Sequence, residues 1–597
     1  MLKNRFAHLT GKQEAKIADD LREAYDFDPR DPLFGLSKAQ LSGPRLERRT
    51  VLRLMAAAGT LSAAHLVPGL ASRPASAQQE GGTLQGGWSG VSEIRTLDPA
   101  RIDQVEQFQI SSNVLSGLTH IDGGFVAQPD LAADWTVSDD GTAYTFNLRE
   151  GVTFHNGDPF TADDVLFTYR RSKDPAQSIH SQVLVNVVDA EKVDDLTVRF
   201  RLARPQASFL VKTTERASGR AMTIVSRGAL EELGESQYGL TPVGTGPFRV
   251  AEHTLGQAVR LEAFENYYHP SRPKLERVDI RPIVEAEPLA AALEAGDIQI
   301  VGGAPVPAEL IERFQSNPDI VVDMAPRPGF YAIYMNPWRD PMRVPDFNKP
   351  LEELLKEPGF MVRAALSRAL DRDRFIEIGN LGFGTPSFGS INPALVSMYD
   401  PGIAEKSEQR YQPDSARQLL ADAGFPDGEG MRPLVFTVIA DERRRGQVFA
   451  DIMQRELGVK IELDMVDVTI VGDRRDRLDF DLLVQNSGGD FDPDDGLVDF
   501  MTTESKFNAH SRDKEKYPFG YFSDQEVDRL VAEQSVTPDP ERRRELVQQA
   551  NLLTSNKVAA MFVFHPVSPL VTRKEVNFPA ESRIPDLVDL DLVTVSS

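Results

Sequence analysis

The chain has 597 residues, 41% hydrophobic and 26% charged, with a net charge of −24 and no cysteine. That length exceeds one ordinary hydrophobic core, so two or more domains are expected. The acidic surface repels nucleic acid and anionic lipid. The lack of cysteine excludes disulfides, thiolate metal sites, cysteine nucleophiles and lipid attachment through an N-terminal cysteine.

The pair Arg48–Arg49 precedes an Ala/Leu/Gly-rich apolar run, Leu54 to Ala71, and then Ala75-Ser76-Ala77. A basic region, an apolar region and a small-residue site in that order predict an export signal of twin-arginine type, cleaved after Ala77, with residues 1–77 as leader. No later segment has the ~18 apolar residues that a membrane span needs, so the mature chain is expected to be soluble and periplasmic.

Gln78 to Gly87 leads into a first strand. Trp135 and Val137, then Tyr144, Phe146 and Leu148, alternate with polar residues around Asp139-Asp140-Gly141, which predicts a hairpin. In Gly151-Val-Thr-Phe-His-Asn-Gly-Asp-Pro-Phe-Thr-Ala-Asp-Asp-Val165, His155 lies close to Asp158, Asp163 and Asp164. A metal or acid–base site is one reading. Local backbone roles are the better one: Thr161 and Asp164 fit a capping box, and Gly157-Asp-Pro159 a turn. Leu196, Val198, Phe200 and Leu202 alternate as a further strand. Helical spacing follows at 285–296, 360–379, 413–424 and 540–556, with strands at 434–439 and 480–484 between. The chain is a mixed α/β protein without tandem repeats.

Several segments together resemble the extracellular solute-binding proteins, family 5, the dipeptide/oligopeptide-type binding proteins of ABC importers. They are Thr96-Leu-Asp-Pro99, Leu131-Ala-Ala-Asp-Trp135, Tyr144-Thr-Phe-Asn-Leu-Arg149, the stretch 151–165, Pro242-Val-Gly-Thr-Gly-Pro-Phe248, Asn266-Tyr-Tyr268, Ala292-Leu-Glu-Ala-Gly-Asp297, 362–372 and 416–424. The resemblance implies a two-lobed α/β periplasmic-binding-protein fold, class II-like or cluster C, with a ligand cleft and a subdomain inserted in the first lobe. Carried over, lobe I takes 80–117, 241–333 and 555–597, the insert 118–240, and lobe II 334–554. It implies a monomer that captures a peptide or other small amine-bearing solute and delivers it to a permease of two membrane subunits with their ATPases. Opines, sugars and chelated nickel are the alternative ligands.

The ligand site is expected around Asn486-Ser-Gly-Gly-Asp-Phe-Asp492. Gly488 and Gly489 allow close backbone approach. By resemblance, an aspartate of this loop (Asp490 or Asp492) pairs with a ligand ammonium, and Asn486 and Phe491 flank it. A solvated turn is the bland reading; a calcium loop lacks the EF-hand spacing and its final glutamate. Trp88, placed just after the first strand, is expected either to offer its face to a ligand or to pack in the core. Tyr331, Tyr334 and Asn336 fall where the chain crosses between lobes and are hinge or cleft candidates, with buried structural tyrosines as the alternative. No cofactor or metal is expected. The sequence has no H-E-x-x-H, G-x-S-x-G or G-x-x-x-x-G-K-[ST] pattern, so an enzyme is the minority reading.

Overall fold

A computed structural model describes residues 81–123, 125–214, 221–304, 306–487, 491–508, 515–579 and 588–596. The chain divides after Gln78 into two units, and the described residues belong to the second. The expected export signal therefore lies outside the described residues, as do Gly488, Gly489 and Asp490.

Three main sheets organise this unit. The first has seven strands, in spatial order Ile320–Pro326, Val567–Arg573, Ile300–Gly303, Thr83–Ser89, Arg277–Pro282, Ala258–Ala263 and Phe248–Thr254. Thr83–Ser89 runs parallel to both of its neighbours, and the outer pairs are antiparallel. The second has six strands, in the order Thr385–Pro386, Met561–His565, Tyr331–Met335, Leu482–Asn486, Leu434–Ile439 and Ile461–Val466. Its last three are mutually parallel. The third sheet pairs Ala132–Val137, Ala143–Leu148, Thr197–Leu202 and Val187–Asp194 antiparallel. The first and second sheets are the cores of two lobes, and the third is the inserted subdomain, with its own aromatic core around Phe146, Phe154, Phe200 and Phe209.

Local chemistry explains many boundaries. Asp140 closes the hairpin turn by accepting from Ser138 Oγ, Thr142 N and Thr142 Oγ1, and these bonds hold its carboxyl below the usual range. Helix Ala162–Lys173 begins at the Thr161/Asp164 capping box. Helices Pro413–Asp422 and Pro540–Asn556 start at proline, as expected. The segment 360–379 differs from expectation: it forms two helices, Pro358–Ala369 and Arg372–Gly379. Asp371 restarts the chain by accepting from Arg374 N, a strong N-cap that outweighs the continuous apolar spacing.

Two family-type segments acquire physical roles. Asp98 of Thr96-Leu-Asp-Pro99 forms a buried bidentate pair with Arg171, at 2.8 and 2.6 Å, tying lobe I to the first helix of the insert. Arg363 and Arg372, from the 362–372 segment, are buried guanidiniums that bond carbonyl oxygens: Met335 and Val558 for the first, Ser387, Phe562 and Gln409 for the second. Burial pushes both down to about 9.

The strands Tyr331–Met335 and Met561–His565 lie in the second sheet, so the chain crosses between lobes at 327–330 and at Pro566. The two crossings are bonded to each other. Pro326 pairs with Val567, Arg327 N donates to the Pro566 carbonyl at 3.0 Å, and Tyr331 pairs with Phe564. His565 Nδ1 bonds the Gly329 carbonyl at 2.9 Å, and Asn392 Nδ2 donates to the carbonyls of Arg327 and Gly329. The lobes are joined by one antiparallel ribbon.

Candidate functional site

In open α/β sheets, ligands bind beyond the carboxyl ends of parallel strands. In lobe II these are the ends of Leu434–Ile439 and Leu482–Asn486; in lobe I, those of Thr83–Ser89 and Ile300–Gly303. A cavity of about 650 Å³, within the range for small-molecule sites, lies beyond the end of Leu434–Ile439, lined by Ala440 and Asp441, with Val306 past Ile300–Gly303 on the other side. Lobe I supplies Val306 and Ile311, lobe II supplies Asn380 and 440–447, and the crossing ribbon supplies Arg327 and Pro566.

One firmly anchored side chain of its wall is Arg445, on helix Arg443–Leu457. Arg445 Nε and one terminal nitrogen donate to Asn380 Oδ1 at 2.9 and 2.6 Å, and the other terminal nitrogen donates to Glu442. Its guanidinium lies 5.4 Å from the Tyr331 ring centre and 5.6 Å from that of Phe564, rings that stack on each other at 4.7 Å. Glu442 is buried, its Oε2 has no hydrogen-bond partner, and its Oε1 accepts from Asn486 Nδ2 at 3.4 Å.

The described residues on either side of 488–490 are both anchored. On one side Ser487 N donates to the Phe330 carbonyl and Ser487 Oγ to Asp495. On the other, Phe491 stacks on Phe125 at 4.9 Å, and Phe125 sits at the tip of the hairpin formed by Thr119–Ile121 and Ala127–Pro129. The pair links the start of the insert to lobe II. Phe125→Leu keeps apolar volume and removes the stack. It is expected to cost the closed form about 0.5–1.5 kcal/mol, read as a rise in ligand Kd of up to about tenfold; an unchanged Kd contradicts a role in closure.

Several expected site residues have other positions. Asp492 is buried and bonds both terminal nitrogens of Arg543, at 2.6 and 2.9 Å, while capping the turn Pro493–Leu497 through Asp494 N. Its oxygens are thus engaged in an ion pair and a turn cap within the protein. The neighbouring acids are bound likewise: Asp494 accepts from Gln534 and Ser535, and burial raises its pKa.

Trp88 lies within the first strand and is fully buried. Its ring rests on the backbone of Gly302, where a Cβ would come within 2.5 Å of it. This is the core-packing alternative; its Nε1 has no hydrogen-bond partner. The strand runs further than the Gln/Gly-rich start suggested, because parallel pairing on both sides extends it through Ser89.

Tyr334 and Asn336 also differ from hinge or cleft expectations. Tyr334 is buried against Tyr521, with ring centres 3.7 Å apart. Asn336 donates to the carbonyls of Leu478 and Phe480 and accepts from Trp338 N, a fully used amide in the lobe II core. Tyr331 is buried beside the cavity wall, where burial and the Glu442 carboxylate push its hydroxyl well above its ordinary pKa. His155 is a structural tie: its Nδ1 accepts from Gly244 N and its Nε2 bonds the Gly246 carbonyl, and burial drives it down to about 4. Sequence reasoning missed Arg327, Glu442 and the run Arg443-Arg444-Arg445. The one available signal was three cations in succession at a helix start.

Two lobes, a bonded ribbon between them and a cavity at facing strand ends define a two-lobed binding-protein fold. The chain belongs to the bacterial extracellular solute-binding proteins, family 5, whose middle region matches residues 126–509. It is 30% identical over 338 residues to the glutathione-binding protein GsiB of Shigella flexneri serotype 5b, an alignment covering 56% of this chain and 61% of that one. The chain thus spans about 61% of the length of the curated relatives it matches. Among solved structures it resembles HbpA2 from Haemophilus parasuis, with a TM-score of 0.70 and 22% identity over 86% of this chain and 100% of that one. It also resembles the periplasmic binding protein DppA from Helicobacter pylori in complex with the peptide STSA, with a TM-score of 0.61 and 22% identity over 87% and 98%. Among the described residues no helix is long and apolar enough to cross a membrane, and no group of three or more His, Asp or Glu is placed to hold a metal ion.

Proposed function

We propose that this protein is the periplasmic substrate-binding component of an ABC importer, acting as a monomer without catalysing a reaction. It captures a peptide or other small amine-bearing solute between its lobes, closes around it, and presents the closed form to a permease of two membrane subunits with their ATPases. The observation that carries this reading is the cavity between the two lobes, lined from both of them and from the crossing ribbon. Ligand contacts made by both lobes favour the closed state, and the capture energy is the difference in affinity between open and closed forms. Asp490, between the anchored Ser487 and Phe491, is the residue we assign to the ligand ammonium, with Asn486 and the backbone of Gly488 and Gly489 beside it. The relatives named for glutathione binding support a peptide-like ligand.

The test is thermal unfolding of the purified protein against di-, tri- and tetrapeptides, glutathione, opines and neutral sugars. A true ligand at a hundredfold its Kd stabilises by about 2.7 kcal/mol. Asp490→Asn should abolish most of that gain for ligands with a free amine. Stabilisation by neutral sugars alone, or by none of these solutes, overturns the reading.

A further inference from the structure

We infer that the inserted subdomain is an electrostatic latch: its Arg204 and Lys212 draw it onto an acidic wall of lobe II and favour the closed arrangement of the lobes. The inference rests on the capture function proposed above and assigns part of closure to residues outside the cleft cavity.

A second cavity, of about 730 Å³, lies between the insert and lobe II, and its two walls carry opposite charge. The insert's wall holds Arg204 and Lys212 and no acid. The wall of lobe II holds Asp492, Asp494, Asp495, Asp499, Glu504 and Asp528 and no cation. Asp492 is already matched by Arg543. Neutral donors hold others of the set: Thr503 N donates to Asp528, and Gln534 and Ser535 donate to Asp494. A neutral donor positions a carboxylate without cancelling its charge. Among the described residues, neither Arg204 nor Lys212 has an ion-pair partner. Two uncommitted cations therefore face an acidic wall across a gap, in a chain whose net charge is −24. Such complementary surfaces attract before they touch.

The insert is tied to lobe I and so travels with it. The buried Asp98–Arg171 pair and the bonds of His155 to Gly244 and Gly246 make that tie. Opening the lobes carries Arg204 and Lys212 away from the acids, and closing brings them back. Short-range contacts already mark the meeting face. Phe125 stacks on Phe491 at 4.9 Å, and Gly141 lies against Pro538. The 3-10 turn Ala207–Thr213, which carries Lys212, packs on helix Gln525–Val536, which carries Asp528. These contacts act only once the surfaces meet. The charges act over the screening length, about 10 Å at 0.1 M salt. Val211, Val498 and Val531 line the same gap, and apolar walls of this kind concentrate the field between the charges. A bias toward the closed form raises the apparent affinity for any cargo, charged or neutral, in proportion to the competent fraction.

The test uses the absence of cysteine from the chain. Dyes attach only at cysteines introduced by V193C on the insert and Q525C on lobe II, both at exposed positions. Single-molecule energy transfer then reports the closed-to-open ratio of the ligand-free protein in 10 mM and in 1 M KCl, between which the screening length falls from about 30 Å to about 3 Å. In the parent, high salt should lower the ratio by about threefold or more; in R204Q/K212Q the change should be below about 1.5-fold. R204K/K212R keeps both charges and should keep the parent's response. An unchanged Tm checks that each variant is folded. Equal salt responses in the parent and R204Q/K212Q overturn the inference, as does a parent that does not respond or that closes further in salt. Loss of the response in R204K/K212R as well assigns the effect to packing and also overturns it. No cargo is added, so any of these results leaves the capture function standing, and a solute screen that finds no cargo overturns capture without altering this outcome.

Discussion

Replacing Asp492 with alanine is expected to lower the unfolding free energy by about 3–5 kcal/mol, because it strands the Arg543 guanidinium in a buried site. Arg543 would keep Gln534 Oε1 at 3.1 Å and the more distant Asp494 at 3.8 Å, which places the loss toward the lower end of that range. The same change removes the cap of Pro493–Leu497, adding about 1 kcal/mol. Urea denaturation measures the sum. A double variant, D492A/R543M, should recover much of the loss, since the stranded charge rather than the missing attraction sets the effect. A loss below about 1 kcal/mol for D492A would show that the pair is hydrated. This prediction separates Asp492 from Asp490: the first should change stability and the second should change ligand binding.

Acidification should weaken the protein through His565. Burial drives this imidazole down to about 4 from an ordinary value near 6.5. The unfolded chain takes up the proton first, so the stabilisation is complete above about pH 6.5 and is lost as pH falls toward 4. The shift corresponds to about 3 kcal/mol. His565→Gln can still donate to the Gly329 carbonyl but does not titrate. Melting curves between pH 7 and pH 4.5 should therefore fall less steeply in the variant, by about 2–3 kcal/mol at the acid end. Parallel pH profiles for the two proteins would remove His565 as the cause.

Much of the fold was legible because its signals are local. The hairpin at 135–148 is marked by alternation and an Asp-Gly turn, the helix at 162 by its capping box, and helix Pro540–Asn556 by its first residue. Sequence periodicity missed the break at Asp371 because the apolar spacing continues across it, although the capping aspartate was in plain view. The candidate site was less legible, since its parts are scattered. The cavity draws on residues near 306, 327, 380, 443 and 565, and no spacing rule joins them. The partner of Asp492 lies 51 residues away, so an acid that reads as a ligand group in sequence is a structural one in the fold. Trp88 was ambiguous for another reason: the glycine on which it rests, Gly302, sits on a strand more than two hundred residues later.

The ribbon between the lobes has a mechanical consequence. A single strand joining two bodies permits rotation about several axes, because each of its torsions turns independently. Here the paired segments 326–331 and 564–567 are laced by the Arg327–Pro566 and His565–Gly329 contacts. A twist in one segment must be matched in the other or a bond is lost. Such a coupled pair bends easily only across its own plane, so the lobes have in effect one degree of freedom. Opening then follows one defined arc, and a cargo that props the lobes apart by a few degrees leaves a geometry on that arc rather than a skewed one.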